Sequence, residues 1–205
     1  MSKISDRQPQ PELTDKGEQI LRGAMPEFLT HGYASTSMDR VAKAAGVSKQ
    51  TLYSHFSDKD GLFTALVKRI ASEKLRIVWS PPLSGKPELV LRDLATRILM
   101  ENISDREYLG FIRLIVSESG KRPDLAQVFL TALVKPAIET LTEYLKTCQE
   151  LTITDPEATA RIFVGSLIHY MVVQEILQGK DSLPMTADRL IDNLVELIIH
   201  QKALP

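Results

Sequence analysis

The sequence has one cysteine, Cys148, among its 205 residues. A lone thiol excludes an internal disulfide framework and a cysteine-only metal cluster. The N-terminal stretch MSKISDRQPQPELTDKGEQ lacks the apolar core of a secretory signal. The richest apolar stretch, residues 163–173, is about half of the ~20 residues that a membrane helix needs, and it contains Ser166 and His169. We therefore expect a cytoplasmic protein with no membrane partner, in which the thiol stays reduced.

The sequence also lacks an excess of charge of either sign. Its 25 Lys and Arg residues face 26 Asp and Glu residues, which gives a formal net charge of -1. This balance excludes a polybasic protein that holds nucleic acid by bulk charge, and equally an acidic disordered chain. Residues 1–70 carry 10 basic and 8 acidic side chains, so the N-terminal third is slightly basic and the remainder slightly acidic.

Strand signals are missing as well, because no segment alternates between apolar and polar residues and no Asn-Gly or Asp-Gly hairpin occurs. The dominant hydrophobic period is helical. We expect an all-α fold of about nine helices, in which a three-helix unit is joined by a long helix to an antiparallel helical bundle. The predicted parts are a mobile tail (1–12), the three-helix unit (13–60), the connecting helix (61–79) and the bundle (84–205).

Capping residues and helix breakers predict the individual boundaries. Asp15 begins the first helix, Pro26 kinks it and Gly32 ends it. Thr36 caps the second helix and Ser48 the third. The bundle helices are expected at residues 87–103, 105–119, 123–149, 156–178 and 187–201, and Pro136 kinks or splits the third of these.

Residues 36–56, TSMDRVAKAAGVSKQTLYSHF, form two short helices joined by a turn at Gly46, which is the helix-turn-helix pattern. The small side chains of Ala42 and Ala45 let the two helices cross closely. The outer face of the second helix is polar and could contact phosphates or base edges, with Lys49, Gln50, Tyr53 and Ser54 flanked by Thr51 and His55. Ordinary solvated surface helices remain an alternative, because short amphipathic helix pairs are common.

The spacing of individual residues favours the first interpretation, since residues 36–66 resemble the TetR family of bacterial transcription regulators. The family pattern stands here as Thr36, Val41-Ala42, Ala45-Gly46-Val47-Ser48, Tyr53, Phe56, Lys59 and Leu62. The match covers most of residues 15–66, about a quarter of the chain. It implies a DNA-binding domain over residues 13–60 and an effector-binding and dimerisation domain over residues 84–205.

The resemblance also implies roles for single residues. Thr36 reaches a phosphate as well as capping its helix, and Lys59 resembles a phosphate-binding lysine near a helix N-terminus. Gln50 and Thr51 are the candidates for base contacts, although many family members have glycine at the position of Gln50. The positions that resemble backbone-clamping residues are Ser48, Lys49, Tyr53 and His55.

Two bundle segments, 156–178 and 187–201, are apolar around more than half of the helix circumference. An antiparallel pair of such helices that meets its two-fold copy forms a four-helix dimer interface. Burial inside the monomer is the alternative. The predicted interface residues are Phe163, Leu167, Met171, Leu190, Leu194 and Ile198.

An effector pocket is expected between the bundle helices, lined by apolar groups with a few polar ones. The candidates are Trp79, Met100, Tyr108, Phe111, Arg113, His169, Tyr170 and Met171. Core packing is the alternative for each apolar side chain, and pairing with Glu118 or Glu139 is the alternative for Arg113. No ligand can be chosen.

The sequence contains no nucleophile-elbow, P-loop, dinucleotide or zinc-protease motif, and none of its four histidines follows a Glu by three residues. We therefore expect no catalytic residue, metal site or cofactor. The predicted function is a ligand-responsive, homodimeric repressor that a small-molecule effector releases from a near-palindromic operator in double-stranded DNA. The alternative is a helical small-molecule-binding or protein-interaction module without DNA binding.

Overall fold

A computed structural model describes residues 15–80 and 82–200, so the predicted tail (1–12) lies outside the described residues. Over this part of the chain the elements are ten α-helices and two π-helical segments, without a strand, which confirms the all-α fold class. The α-helices are α1 (Asp15–Ser35), α2 (Met38–Ala44), α3 (Lys49–His55), α4 (Lys59–Trp79), α5 (Pro87–Ile103), α6 (Arg106–Ser119), α7 (Pro123–Phe129), α8 (Lys135–Thr147), α9 (Pro156–Met171) and α10 (Ala187–Ile199).

The chain divides into two compact units, the first ending at Leu62 and the second starting at Phe63. The first unit holds α1, α2, α3 and the first turn of α4. The second unit holds the rest of α4 and the bundle helices. The functions predicted for the two parts are not decided by this division.

Helix α1 is described from Asp15 onward, and it breaks at Gly32, where the sequence predicted its end. Gly32 has φ 72° and ψ 171° inside the helix, whereas the residues around Pro26 keep helical dihedral angles. The predicted kink at Pro26 is therefore wrong. Pro26 lies on the exposed side of α1, where water can replace the hydrogen bond that a proline removes.

The core of the second unit is built by α5, α8, α9 and α10. Leu94, Leu141, Phe163 and Val195, one from each helix, are 0–1% exposed and belong to one apolar cluster. Burying a side chain of this size contributes about 1.5–3 kcal/mol to folding. This cluster orients the bundle helices and decides which of their faces remain outside.

The helical run Pro123–Thr147 is interrupted before Pro136, as predicted. A π-helical segment, Leu130–Val134, joins α7 to α8, and the Lys135 N–H donates to the Leu130 carbonyl five residues back. A second π-helical segment, Val172–Ile176, extends α9.

The run Pro123–Thr147 is also the one helix among the described residues that is long and apolar enough to cross a membrane, with a window of mean hydropathy 1.2 that is 33% buried. Core helices of non-membrane proteins have the same length and composition, so the expectation of no membrane partner stays a prediction.

Candidate functional site

The turn between α2 and α3 is held against α1 by two contacts. A Cβ built on Gly23 would lie 2.6 Å from the Ala45 Cα, so only glycine allows the two backbones to approach this closely. The Gln19 Nε2 donates to the Ala45 carbonyl at 2.7 Å and so satisfies a carbonyl at the end of α2. Neither contact was predicted from the sequence. The available signal was a glycine inside a helix, which is unfavourable unless another element packs against it.

Helix α3 begins after Ser48, as predicted. The Ser48 hydroxyl accepts the Thr51 N–H at 3.0 Å and lies 2.8 Å from the Thr51 hydroxyl. Leu52 is fully buried and anchors the helix. Tyr53 is 50% exposed, and the structure brings it onto the same outer surface as the other exposed α3 side chains, Lys49, Gln50, Ser54 and His55.

Thr36 does not have the predicted role. Its side chain is buried, and the hydroxyl lies 2.7 Å from the Gly32 carbonyl and 3.1 Å from the Glu27 carbonyl. Ser37 caps α2 by accepting the Arg40 N–H at 3.3 Å. The prediction that Thr36 caps α2 and reaches a phosphate is therefore wrong: the cap lies one residue later, and the hydroxyl is bound to the end of α1.

Lys59 is held by the end of α1. Its Nζ lies 2.9 Å from the Tyr33 carbonyl, 3.0 Å from the Ala34 carbonyl and 3.1 Å from the Thr36 carbonyl. The same ammonium lies 4.6 Å from the centroid of the Tyr33 ring. An ammonium group has three donors, and here each has a carbonyl. The phosphate contact predicted for Lys59 stays a prediction, and it requires one of these bonds to break.

Lys49, the first residue of α3, has an acidic partner on α2. Its Nζ lies 2.6 Å from the Asp39 Oδ2, and the two side chains are 65% and 60% exposed. Arg40 and Lys43 are also exposed on α2. Within residues 15–80 and 82–200, these two side chains make no ion pair. The cations of the first unit therefore differ in how far they are already neutralised.

The residues predicted for the dimer interface lie mostly inside the subunit. Phe163 and Leu167 are fully buried, Met171, Leu194 and Ile198 are at most 5% exposed, and only Leu190 is half-buried. For the five buried residues the prediction as contact residues is wrong, because their side chains pack within their own subunit. For Leu190 it stays a prediction. The exposed side of each of these two helices carries one large apolar side chain among mostly polar ones.

Ile162 on α9 and Leu197 on α10 are 63% and 72% exposed. An open trough of about 570 Å³ runs between α9 with its π-helical extension, the following loop and α10. Its lining is largely apolar and includes Ile162, His169, Tyr170, Val173, Leu183 and Met185. The structure therefore brings His169 and Tyr170 together, as two of the predicted effector-pocket residues.

The other predicted effector residues do not join them. Phe111 is fully buried, with its ring centroid 6.3 Å from that of Phe63 and 6.1 Å from that of Phe129. Met171 is buried. Met100 and Trp79 differ in exposure: Met100 is 47% exposed and Trp79 is half-buried against the bundle core.

Arg113 pairs with neither of the carboxylates considered for it. Its Nη2 donates to the carbonyls of Glu175 and Ile176, at 3.2 and 3.4 Å. These carbonyls lie at the end of the second π-helical segment, where the last carbonyls of a helix lack partners within it. Arg113 therefore connects α6 to the end of α9.

Tyr108 belongs to a buried charged cluster. Lys74, itself 6% exposed, donates to the Glu101 carbonyl and to the Asp105 carboxylate, each at 2.9 Å, and lies 4.4 Å from the Tyr108 ring centroid. Burial and the Asp105 charge raise the pKa of the Tyr108 hydroxyl. Burial opposes ionisation of Asp105 too, but the Tyr108 N–H and Lys74 outweigh it and hold the Asp105 pKa below its usual 3.8.

In the part of the chain that the structure describes, no group of three or more His, Cys, Asp or Glu side chains could hold a metal ion.

Comparisons with known proteins agree with the geometry of both units. Residues 20–66 match the family described as bacterial regulatory proteins, tetR family, and residues 89–200 match the AefR-like transcriptional repressor, C-terminal domain. AcrR of Shigella flexneri, an HTH-type transcriptional regulator, is 31% identical over 101 residues, which are 48% of this chain and 47% of AcrR. The chain spans about half or less of the length of the curated relatives it matches, with 35% for AcnR of Corynebacterium diphtheriae.

Solved structures are similar over most of the chain. The flavonoid-responsive regulator FrrA is 32% identical, with a TM-score of 0.72 over 88% of this chain and 91% of FrrA. A TetR-family transcriptional regulator from Mesorhizobium loti is 27% identical, with a TM-score of 0.75 over 90% of this chain and 95% of that protein. One family match spans more than half of the sequence. The chain therefore belongs to the TetR family of bacterial regulatory proteins.

Proposed function

We propose that the protein is a homodimeric repressor that binds a near-palindromic operator and leaves it when a small molecule binds the bundle. The observation that carries this proposal is α3: Leu52 anchors it, Ser48 caps it, and Lys49, Gln50 and Tyr53 project from it. An α-helix of this kind fits the major groove of B-DNA with its N-terminal residues at the base edges.

The side chains of α3 divide between affinity and sequence preference. Lys49 and Tyr53 can donate to phosphates, which positions the helix without reading sequence. Gln50 is the candidate for reading a base, since an amide can bond adenine in a bidentate manner. Of the two predicted base-reading residues, Gln50 is the more exposed. The Thr51 hydroxyl instead contacts the Ser48 hydroxyl at the start of the helix.

Dimerisation is supported by the outer faces of α9 and α10. Ile162 and Leu197 are large apolar side chains that water covers in the isolated subunit, and a two-fold copy would bury them. Two α3 helices would then occupy successive major grooves about 34–36 Å apart. Measurement of the mass in solution tests this face. We expect the mass of two subunits for the wild type and of one subunit for Ile162→Arg. Leu89→Arg, at an equally exposed position on α5, is the matched control and should keep the mass of two.

An effector acts by binding one conformation of the bundle more tightly than another. If both α3 helices fit the operator only in the conformation that the effector does not favour, the effector lowers the affinity for DNA. The similarity to a flavonoid-responsive regulator makes planar aromatic phenols the first class to test. Their titration into the protein–DNA complex should release the DNA, whereas aliphatic acids serve as the comparison class.

DNA binding is tested by fluorescence anisotropy with the promoter region flanking the protein's own gene, at about 50 mM salt and without effector. We expect binding by the wild type, and weaker binding by Lys49→Ala and Tyr53→Ala with an unchanged dimer mass. Lys121→Ala removes another exposed lysine, beyond α6, and should bind as the wild type does. Wild-type protein that binds no such DNA would favour the module without DNA binding.

A further inference from the structure

We propose that Asp39 is an intramolecular competitor of DNA phosphate for Lys49, and so restrains the phosphate affinity of α3. This inference rests on the proposed DNA binding and adds a residue that limits it. The competitor is a carboxylate 2.6 Å from the ammonium that begins the candidate recognition helix. A carboxylate and a phosphate offer a lysine the same kind of anionic oxygen, so one replaces the other directly.

The pair is not explained by helix formation. Lys49 and Asp39 are ten residues apart and lie on different helices, so this is not a pair between successive turns of one helix. Asp39 lies in the first turn of α2, but the Ser37 side chain caps that helix. The Asp39 carboxylate is therefore left for Lys49, and its loss removes little from α2 beyond a favourable charge in the first turn.

The exposure of the pair sets the size of the effect. The two side chains are 65% and 60% exposed, and exposed ion pairs of this kind are weak, which corresponds to about a two- to five-fold change in an equilibrium constant. Such a pair breaks readily when phosphate arrives. It still lowers the affinity for every DNA sequence by that factor, because phosphates are present in all of them.

The other cations of the first unit differ from Lys49 in their partners. Lys59 has three carbonyl partners, whereas the exposed Arg40 and Lys43 make no ion pair within the described residues. With Lys49 neutralised, the first unit attracts DNA less than its lysines and arginines alone would predict. Because the factor is the same for operator and non-operator DNA, the pair lowers the overall DNA affinity and leaves the preference for the operator unchanged.

The experiment compares wild type, Asp39→Asn, Lys49→Ala and the double variant on an operator fragment and on random DNA of equal length. We expect Asp39→Asn to bind both DNAs about two- to five-fold more tightly, with a steeper dependence on salt by up to about 0.9 in the log–log slope. In the Lys49→Ala background, Asp39→Asn should change nothing. Asp15→Asn removes an exposed charge of the same sign from α1 and should not reproduce the gain.

The outcomes separate the two proposals. If the wild type binds DNA but Asp39→Asn binds no more tightly, the inference is overturned and the proposed function stands. If Asp39→Asn tightens binding equally with and without Lys49, the effect is one of general charge and the competition is overturned. If the wild type binds no DNA, the proposed function and this inference fall together.

Discussion

Replacement of Lys59 by methionine should destabilise the protein by more than is usual when a lysine at the start of a helix is replaced. Methionine keeps the unbranched apolar part of the side chain and removes the ammonium group with its three bonds to the end of α1. Water can replace the exposed bond to Ala34, whereas the bonds to Tyr33 and Thr36 are partly buried. At about 1.5 kcal/mol for each of these two bonds to a charged group, the free energy of unfolding should fall by about 3 kcal/mol.

For a chain of this length that loss corresponds to a melting temperature lower by roughly 6–12 °C. Circular dichroism during heating measures it, and urea titration checks that the slope of the unfolding free energy is unchanged. Lys68→Met is the matched control, because Lys68 is an exposed lysine on the same helix. Lys59→Arg should be intermediate, since a planar guanidinium cannot point at three carbonyls as an ammonium does.

The opposite result has a clear meaning. If Lys59→Met melts within about 1 °C of Lys68→Met but binds DNA poorly, the carbonyl contacts contribute nothing and the lysine serves a phosphate. Loss of stability together with loss of binding would agree with the structure, in which Lys59 holds the segment between α1 and α2.

Three further substitutions test other parts of the structure. Gln178→Gly should raise the unfolding free energy by about 1 kcal/mol, because Gln178 has φ 56° and only glycine takes that conformation without strain; an unchanged melting temperature would contradict this. Gly23→Ala should cost about 1–3 kcal/mol and weaken DNA binding, since its Cβ would meet the Ala45 backbone; intact binding would show that the turn is held otherwise. Asp105→Asn should lower stability at neutral pH, because the Asp105 pKa is depressed: burial opposes this, but hydrogen bonds and Lys74 outweigh it. The stability gained from such a carboxylate is present above its unfolded pKa and lost as pH falls through the lower folded pKa, so urea titrations of the two proteins should converge below about pH 3.8.

The sequence predicted the helices well because their ends carry strong local signals. Ser48 caps α3 as expected, and Pro87, Pro123 and Pro156 begin α5, α7 and α9 close to the predicted limits. The exposed face of α3 followed from Leu52, whose burial fixes where the neighbouring side chains point. Local spacing is sufficient for both, because caps and helix faces depend on residues within one or two turns.

The contacts that the sequence did not reveal join residues far apart. The carbonyl partners of Lys59 lie 23 to 26 residues before it, and Gln19 reaches a carbonyl 26 residues later. Helix α9 posed a different difficulty: its apolar residues lie on more than one side, so periodicity cannot tell the inner face, with Phe163, from the outer face, with Ile162.

The π-helical segment before α8 determines where the helical run Pro123–Thr147 can lose a residue without a change in the fold. Apolar residues recur there at intervals of four: Leu125, Phe129, Leu133, Ala137, Leu141 and Leu145. In an uninterrupted α-helix, residues spaced in this way would be displaced around the helix axis by about 200° over the five steps. The π-helical turn contains one additional residue and reduces this displacement by about 100°.

The segment Leu130–Val134 is therefore equivalent to an insertion of one residue that the helix has absorbed without turning α8 away from the core. Removal of one exposed residue there, such as Thr131, would return α-helical geometry and leave α7 and α8 facing as they do now. The same deletion within α8 would rotate every later side chain by about 100°. Among relatives of this chain, length variation in the run should accordingly be concentrated at this turn.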